Sequence, residues 1–130
     1  MGSKGPRKHG TAPNSTSVNG FRYNARVLAE HLAERLGRAR PRRRIEEREL
    51  VGFLLRELSS APELWIQKNF LCRVVSFGDG GPCDEGIVPL EHFLDAGGPD
   101  AVAAAIELNP SAVIYPAVYV RQAGRITEHE

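Results

Sequence analysis

The chain has 130 residues, of which 42% are hydrophobic and 25% are charged, and it contains two cysteines. Its length suits a single domain, and its apolar content is sufficient for a core. Two cysteines are too few for a disulfide scaffold or a four-thiolate zinc site, which makes a reducing compartment the default. Every apolar run ends well short of the roughly 18 residues that a membrane span needs, and no apolar stretch follows the basic N-terminus. We therefore expect a cytoplasmic protein with no membrane contact.

The net charge of +1 hides an uneven distribution along the chain. Residues 1–60 carry a net charge of +7, whereas residues 61–130 carry −6. Opposite charges of this size predict one of three arrangements: the two halves dock within one molecule, two copies meet head to tail, or the basic half binds an external polyanion.

The N-terminal residues are unsuited to a folded core. Residues 1–19 combine Gly, Pro, Ser, Thr and Asn with scattered cations and have almost no apolar side chains to bury. Such a composition does not compensate for the entropy lost on ordering. We predict a disordered basic tail over residues 1–19, followed by a single α+β domain over residues 20–130.

Two amphipathic patterns follow the tail. Leu28, Leu32 and Leu36 recur every four residues from about residue 21, and Gly37 is well placed to end this helix. A second helix is predicted from about residue 44 to residue 58, with its leucines on one side. Between them lies a short connector that contains five arginines and Pro41. The sequence therefore predicts a helical hairpin.

The rest of the chain mixes strand and helix patterns. Prolines at early helical positions predict a short helix over 62–68 and helices over 89–95 and 99–108. β-Branched and aromatic content predicts strands over 70–77, 112–121 and 125–127, and glycines predict a loop over 78–86. Pro116 would make its strand an edge strand or introduce a bulge. Strands joined through helices are predicted to be parallel neighbours. The expected fold is α+β, with an N-terminal helical hairpin packed with a small β-α-α-β sheet layer.

The most prominent candidate site is a group of arginines on and around the connector. Its members are Arg35, Arg38, Arg40, Arg42, Arg43, Arg44 and Arg48. Guanidinium groups pair with phosphate oxygens, and several such contacts make binding steeply dependent on salt. The connector is longer than the turn of a helix-turn-helix, and the predicted second helix begins with two glutamates, so we expect backbone contacts and not base reading. Alternatively, the arginines pair with the chain's own glutamates or with an acidic protein.

A second candidate lies on the strand over 112–121. Tyr115, Tyr119 and Arg121 fall on one face of this strand. If that face is exposed, the two rings and the guanidinium could stack on bases or on a planar ligand. The alternative, which we favour, is that the tyrosines cover the edge of the core.

A third candidate combines the residue types of a nucleophile, a base and an orienting acid: Cys83, His92 and Asp95. The acidic neighbours of Cys83 disfavour a thiolate, so catalysis through this group is weakly supported. The loop over 78–86 has neither the lysine of a phosphate-binding loop nor the acidic spacing of an EF-hand. We expect no metal and no cofactor.

Together these patterns predict a noncatalytic binding or accessory protein. Its arginine-rich helical hairpin would engage a polyanion, most simply the backbone of a nucleic acid. The runner-up is a protein-interaction subunit or homo-oligomer that uses the same arginines on an acidic surface. A small enzyme acting through residues 79–95 comes third.

Overall fold

A computed structural model describes residues 18–37 and 43–130. Residues 1–17 of the predicted tail and residues 38–42 of the connector lie outside this part of the chain. The helices are α1 (Val18–Arg35), α2 (Leu50–Ser60), α3 (Pro62–Ile66) and α4 (Leu90–Ala96), and a 3₁₀ turn at Glu47–Glu49 precedes α2. The strands are β1 (Arg43–Arg44), β2 (Leu71–Gly78), β3 (Gly81–Pro89), β4 (Ala101–Leu108), β5 (Ile114–Gln122) and β6 (Arg125–His129). None of the helices in the described ranges is long and apolar enough to cross a membrane.

The six strands form one sheet in the order β1-β3-β2-β4-β5-β6, and every neighbouring pair is antiparallel. The predicted β-α-α-β layer with parallel neighbours is therefore wrong, because β4 lies between β2 and β5. Short turns connect β2 to β3, β4 to β5 and β5 to β6, and short turns of this kind can join only antiparallel strands. The α+β class itself is confirmed.

The largest error in the predicted elements is the helix over 99–108, which is the central strand β4. Its alanines favour a helix, but intrinsic preferences differ by less than about 0.7 kcal/mol per residue. In the sheet, β4 pairs with β2 on one side and β5 on the other. Residues 103–107 are all buried. Backbone pairing on both edges and burial on both faces outweigh the local preference.

The predicted loop over 78–86 is also wrong, since most of it belongs to β3. Asp79 and Gly80 form the turn of a β2–β3 hairpin, and Gly81 follows with a φ of 96°. A two-residue turn followed by a left-handed residue is a common way to close a hairpin, and glycine adopts that conformation without steric cost. The pairing of β2 with β3 shifts by one residue near Val74 and Val75, where a β-bulge adds Glu85 to β3.

The helices cover both faces of the sheet. On one face, Leu90 and Phe93 of α4 pack over small side chains. The buried residues of this core are Cys72, Val74, Leu90, Phe93, Ala101, Ala103, Ala105, Ala117 and Tyr119. On the other face, α2 and α3 pack in two smaller clusters built around Ile45, Phe53 and Val75, and around Ala61, Leu64 and Ile106. The alanines of β4 and β5 allow α4 to lie close to the strands.

The predicted helical hairpin does not form. Leu28 and Leu32 of α1 are 57% and 49% exposed, and Leu36, which follows α1, is 79% exposed, so the apolar side of α1 is not covered by α2. The contact of α1 with the domain includes an ion pair at 3.3 Å from Arg26 to Glu63 of α3. The second helix starts six residues later than predicted and packs on the sheet through Phe53. Pairing of Arg43 and Arg44 with β3 directs α2 to the sheet.

Other predicted elements are confirmed. The first helix ends at Arg35, and Gly37 follows with a φ of 83°. The short helix begins at Pro62, and the strands over 70–77, 112–121 and 125–127 appear as β2, β5 and β6. Pro116 lies beyond the reach of β6, whose pairing with β5 stops at Val118. Within the described ranges, β5 is thus an edge strand at Pro116, as the missing N–H requires.

In the core under α4, burial favours the neutral forms of the Cys72 thiol and the Tyr119 hydroxyl. Burial raises the pKa of the Cys72 thiol. Burial, assisted by the hydrogen bond that the Tyr119 hydroxyl donates to Glu107, raises the pKa of Tyr119. When a group has a higher pKa in the folded state than in the unfolded state, its contribution to stability is fully present below the unfolded-state pKa. That contribution is lost as the pH rises from the unfolded-state pKa toward the folded-state pKa.

The free energy of unfolding should therefore fall at alkaline pH. We expect a decline of up to about 1.4 kcal/mol per pH unit above roughly pH 8.5, where an unfolded cysteine ionises, and a steeper one above about pH 10, where an unfolded tyrosine ionises. Urea unfolding under reducing conditions between pH 7 and 11 measures this. Cys72→Ala should delay the onset, and Cys83→Ala should leave it in place. An unchanged onset in Cys72→Ala would contradict this account.

Candidate nucleic-acid interface

The arginines that follow the connector lie on the edge of the sheet. Arg43 and Arg44 constitute β1 and pair with β3, so that Arg43 is opposite Asp84 and Arg44 is opposite Cys83. The next residue, Ile45, donates its backbone N–H to Pro82 at 3.0 Å and is 5% exposed. Burial of Ile45 anchors the strand, while both arginine side chains are exposed.

The two guanidinium groups rest on opposite sides of the edge strand. The Arg43 guanidinium lies 5.8 Å from the centre of the Phe53 ring in α2. The Arg44 guanidinium lies on the β2–β3 turn, where a Cβ on Gly80 would overlap it. A ring face attracts a cation, and a glycine offers room for close approach. These neighbours orient both side chains without neutralising their charge.

The carboxylate opposite Arg43 is paired with a different arginine. Asp84 contacts Arg73 of β2 at 3.3 Å, and the Arg73 Nε lies 2.8 Å from Glu57 of α2. Arg73 also lies 5.9 Å from the centre of the Phe53 ring. Burial alone would lower the pKa of Arg73, but the charge of Asp84 and the hydrogen bond that Arg73 donates to Glu57 more than compensate and raise it. Arg73 is therefore a fixed cation that pairs with both carboxylates.

The remaining members of the arginine group differ in their pairing. Among the described residues, no carboxylate lies within 4.0 Å of the guanidinium of Arg35, Arg43 or Arg44. Arg48 is paired with Glu46 at 2.8 Å, but both side chains are exposed. Arg38, Arg40 and Arg42 lie outside the described residues. We call Arg43 and Arg44 the basic edge, whereas Arg35 is the last residue of α1.

The structure does not present Tyr115, Tyr119 and Arg121 as an exposed stacking face. Tyr119 and Arg121 are 3% and 6% exposed, and Tyr115 is partly buried against the same core. The stacking hypothesis required this face to be exposed, but α4 covers this side of the sheet. Tyr115, which is partly buried against the core, fits the favoured alternative, in which the tyrosines cover the edge of the core.

Cys83, His92 and Asp95 do not form a catalytic group. No hydrogen bond or ion pair joins any two of them, and Cys83 does not line the cavity that His92 borders. Cys83 is instead opposite Arg44 at the sheet edge. In residues 18–37 and 43–130, no three potential metal ligands converge.

Sequence reasoning missed two features of this region. The first is the pairing of Asp84 and Glu57 with Arg73, which depends on strand register. The second is a cavity beneath α4 to which Glu85, His92 and Arg121 contribute. These three residues belong to β3, α4 and β5, and no local pattern connects them. The Asp79-Gly80 pair is a local signal typical of a hairpin turn and could have indicated the hairpin that carries Glu85.

The chain was also compared with known proteins. No family model, curated protein or solved structure matches it.

Proposed function

We propose that this protein is a noncatalytic binding protein whose arginines engage the phosphate backbone of a nucleic acid. The contact surface comprises the basic edge, Arg35 and the connector arginines. Arg48 belongs to its margin, since its ion pair with Glu46 is exposed and therefore weak.

The observation that carries this proposal is the unequal pairing of the arginines. Arg73 takes up both Asp84 and Glu57, whereas Arg43 and Arg44 have no carboxylate within 4.0 Å among the described residues. Pairing with the chain's own carboxylates is an alternative to an external partner. The two carboxylates nearest to this edge in the sheet register and in α2, Asp84 and Glu57, pair instead with Arg73, which is not part of the connector.

The position of the basic edge favours phosphate contacts over base reading. Arg43 and Arg44 project from a strand of two residues, which is too short to fill a groove. Exposed guanidinium groups at a sheet edge can each meet one phosphate and release its counterions. Nothing in this arrangement selects a base sequence.

Salt dependence tests the proposal. Fluorescence anisotropy with an arbitrary labelled duplex and a single strand of equal length should show affinity that falls linearly with salt on logarithmic axes, with a slope of about −3 or steeper. Two unrelated duplex sequences should bind equally. Absent binding, or binding that salt does not weaken, would reject the proposal.

Self-association is a second candidate function, favoured by the exposed leucines of α1. Leu28, Leu32 and Leu36 form a stripe that the described part of the chain leaves uncovered. Charge complementarity favours a second copy of this chain as the partner, because residues 1–60 carry +7 and residues 61–130 carry −6.

Light scattering after size exclusion decides this second candidate. We expect a dimer at micromolar concentration that Leu32→Glu converts to a monomer. Ala29→Glu places the same charge on an exposed position of α1 outside the stripe and should leave the dimer intact. A wild-type monomer at low salt and high concentration would exclude self-association.

A further inference from the structure

A cavity of about 360 Å³ lies between α4 and the face of the sheet that α4 covers. Its apolar walls include Val88 and Phe93, and its polar lining consists of Ser76, Glu85, His92 and Arg121. Small-molecule sites commonly have volumes of roughly 300 to 1,000 Å³ and combine apolar walls with a few converging polar groups. The cavity lies on the α4 side of the sheet and shares no residue with the basic edge.

Arg121 is the unusual residue of this cavity. It is 6% exposed, yet no carboxylate within 4.0 Å pairs with it among the described residues. Its Nε donates to the Pro99 carbonyl at 2.8 Å, its Nη1 donates to the Phe93 carbonyl at 3.2 Å, and the guanidinium stacks on the Phe93 ring at 4.5 Å. Buried arginines are rare unless paired with an anion.

The contacts of Arg121 hold its guanidinium rigidly and leave part of it available. A guanidinium has five N–H donors, and the two carbonyls use one on Nε and one on Nη1. The Nη2 lies beside Gly98, where a Cβ would come within 3.1 Å. A preoriented planar fork with free donors is suited to pair with a carboxylate.

Glu85 gives the same cavity an acceptor. The β-bulge that adds Glu85 to β3 directs its carboxylate to the α4 side, where the Ser76 hydroxyl donates to it. Bulges often turn a side chain toward a functional site. His92 is exposed on α4 and borders the opening. The cavity thus has a cationic donor and an anionic acceptor on different strands.

We propose that this cavity binds a small organic acid: its carboxylate pairs with Arg121, its apolar body lies against Val88 and Phe93, and a hydroxyl donates to Glu85. This site is separate from the proposed nucleic-acid contact, so either proposal can fail without the other.

The test uses 4-hydroxybenzoate as the probe, with the full chain and amide NMR shifts as the readout. We expect shifts that concentrate on α4, β2 and β3. The matched neutral probe, 4-hydroxybenzamide, should bind at least about tenfold more weakly, since it lacks the charge that pairs with Arg121. Benzoate, which lacks the hydroxyl, should bind about fivefold more weakly. Equal affinity for the acid and its amide would overturn the proposal, as would shifts confined to the basic edge or absent at about 10 mM.

Variants separate binding from folding. Arg121→Lys keeps the charge but loses the fork and should weaken binding at least about tenfold. Because that variant also alters a buried contact, Ala96→Trp provides an independent block: Ala96 lines the cavity but is itself exposed. Asp95→Trp, at an exposed neighbouring position that does not line the cavity, is its control. Unchanged probe binding in Ala96→Trp would overturn the proposal even if Arg121→Lys fails to fold.

Discussion

Nucleic-acid affinity should fall about a hundredfold when Arg42, Arg43 and Arg44 are all replaced by alanine, because each phosphate contact contributes about 1 kcal/mol. The slope of affinity against salt should decrease by about three units, one for each lost contact. Arg42 lies outside the described residues, whereas the other two form the edge strand. Anisotropy titrations at several salt concentrations measure both quantities.

A matched variant distinguishes a local surface from diffuse charge. Replacing Arg26, Arg56 and Arg125 by alanine removes the same net charge from positions outside the assigned surface: Arg26 is in an ion pair with α3, Arg56 is exposed on α2, and Arg125 is on β6. We expect less than about a fivefold loss of affinity from this set. An equal loss in both variants would contradict the assigned surface. Polyglutamate is a further control: tighter binding to it than to nucleic acid of matched charge would indicate an acidic protein partner.

The second large effect concerns stability. Arg73→Met should lower the free energy of unfolding by about 3 kcal/mol, because it leaves two partly buried carboxylates without their shared cation. Arg73 and Glu57 have side chains that are each 19% exposed, so solvent screens this network only in part. Urea unfolding at neutral pH measures the change. Removal of all three charges, by Arg73→Met, Glu57→Gln and Asp84→Asn together, should recover much of the loss.

Arg48→Met is the control for that result. It also removes an arginine from an ion pair of 2.8 Å, but the side chains of Arg48 and Glu46 are 82% and 62% exposed. Such a pair contributes at most about 1 kcal/mol. If Arg48→Met and Arg73→Met have equal effects, burial does not determine the strength of these pairs. Arg73→Met should also weaken nucleic-acid binding slightly, since Arg73 and Arg43 share the Phe53 ring.

Local sequence signals predicted the helix and strand boundaries where they are strong. Gly37 ends the first helix because glycine adopts a positive φ at no steric cost, and Pro62 begins a short helix because proline fixes φ near the helical value. Both effects are local and do not depend on tertiary contacts. The alanine-rich β4 could not be predicted in the same way, since its strand conformation depends on pairing with β2 and β5. The prediction of a helical hairpin failed for a related reason: the leucines of the first helix indicate an apolar face, but they do not indicate which element covers it.

The candidate sites show the same division. The arginine group was recognisable from composition alone, but the pairing of Asp84 with Arg73 instead of Arg43 depends on the register of three strands. Arg121 was noted for its position on β5, and the helix that buries it was predicted, but not its location over the sheet. Glu85 was assigned to a loop, so its contribution to a cavity could not be anticipated. Hydrophobic periodicity indicates which face of a helix or strand is buried. It does not indicate which residues, distant in the sequence, contact that face.

The two-residue length of β1 has a consequence for aggregation. An exposed sheet edge offers backbone N–H and C=O groups to other chains, and proteins commonly protect such edges with short strands and positive charge. Arg43 and Arg44 meet both conditions, because an edge-to-edge approach of two copies would bring four guanidinium groups together. A bound polyanion would neutralise that repulsion. The same two residues therefore link ligand binding to the tendency of the sheets to join, because a saturating polyanion would remove the repulsion that keeps two β1 edges apart.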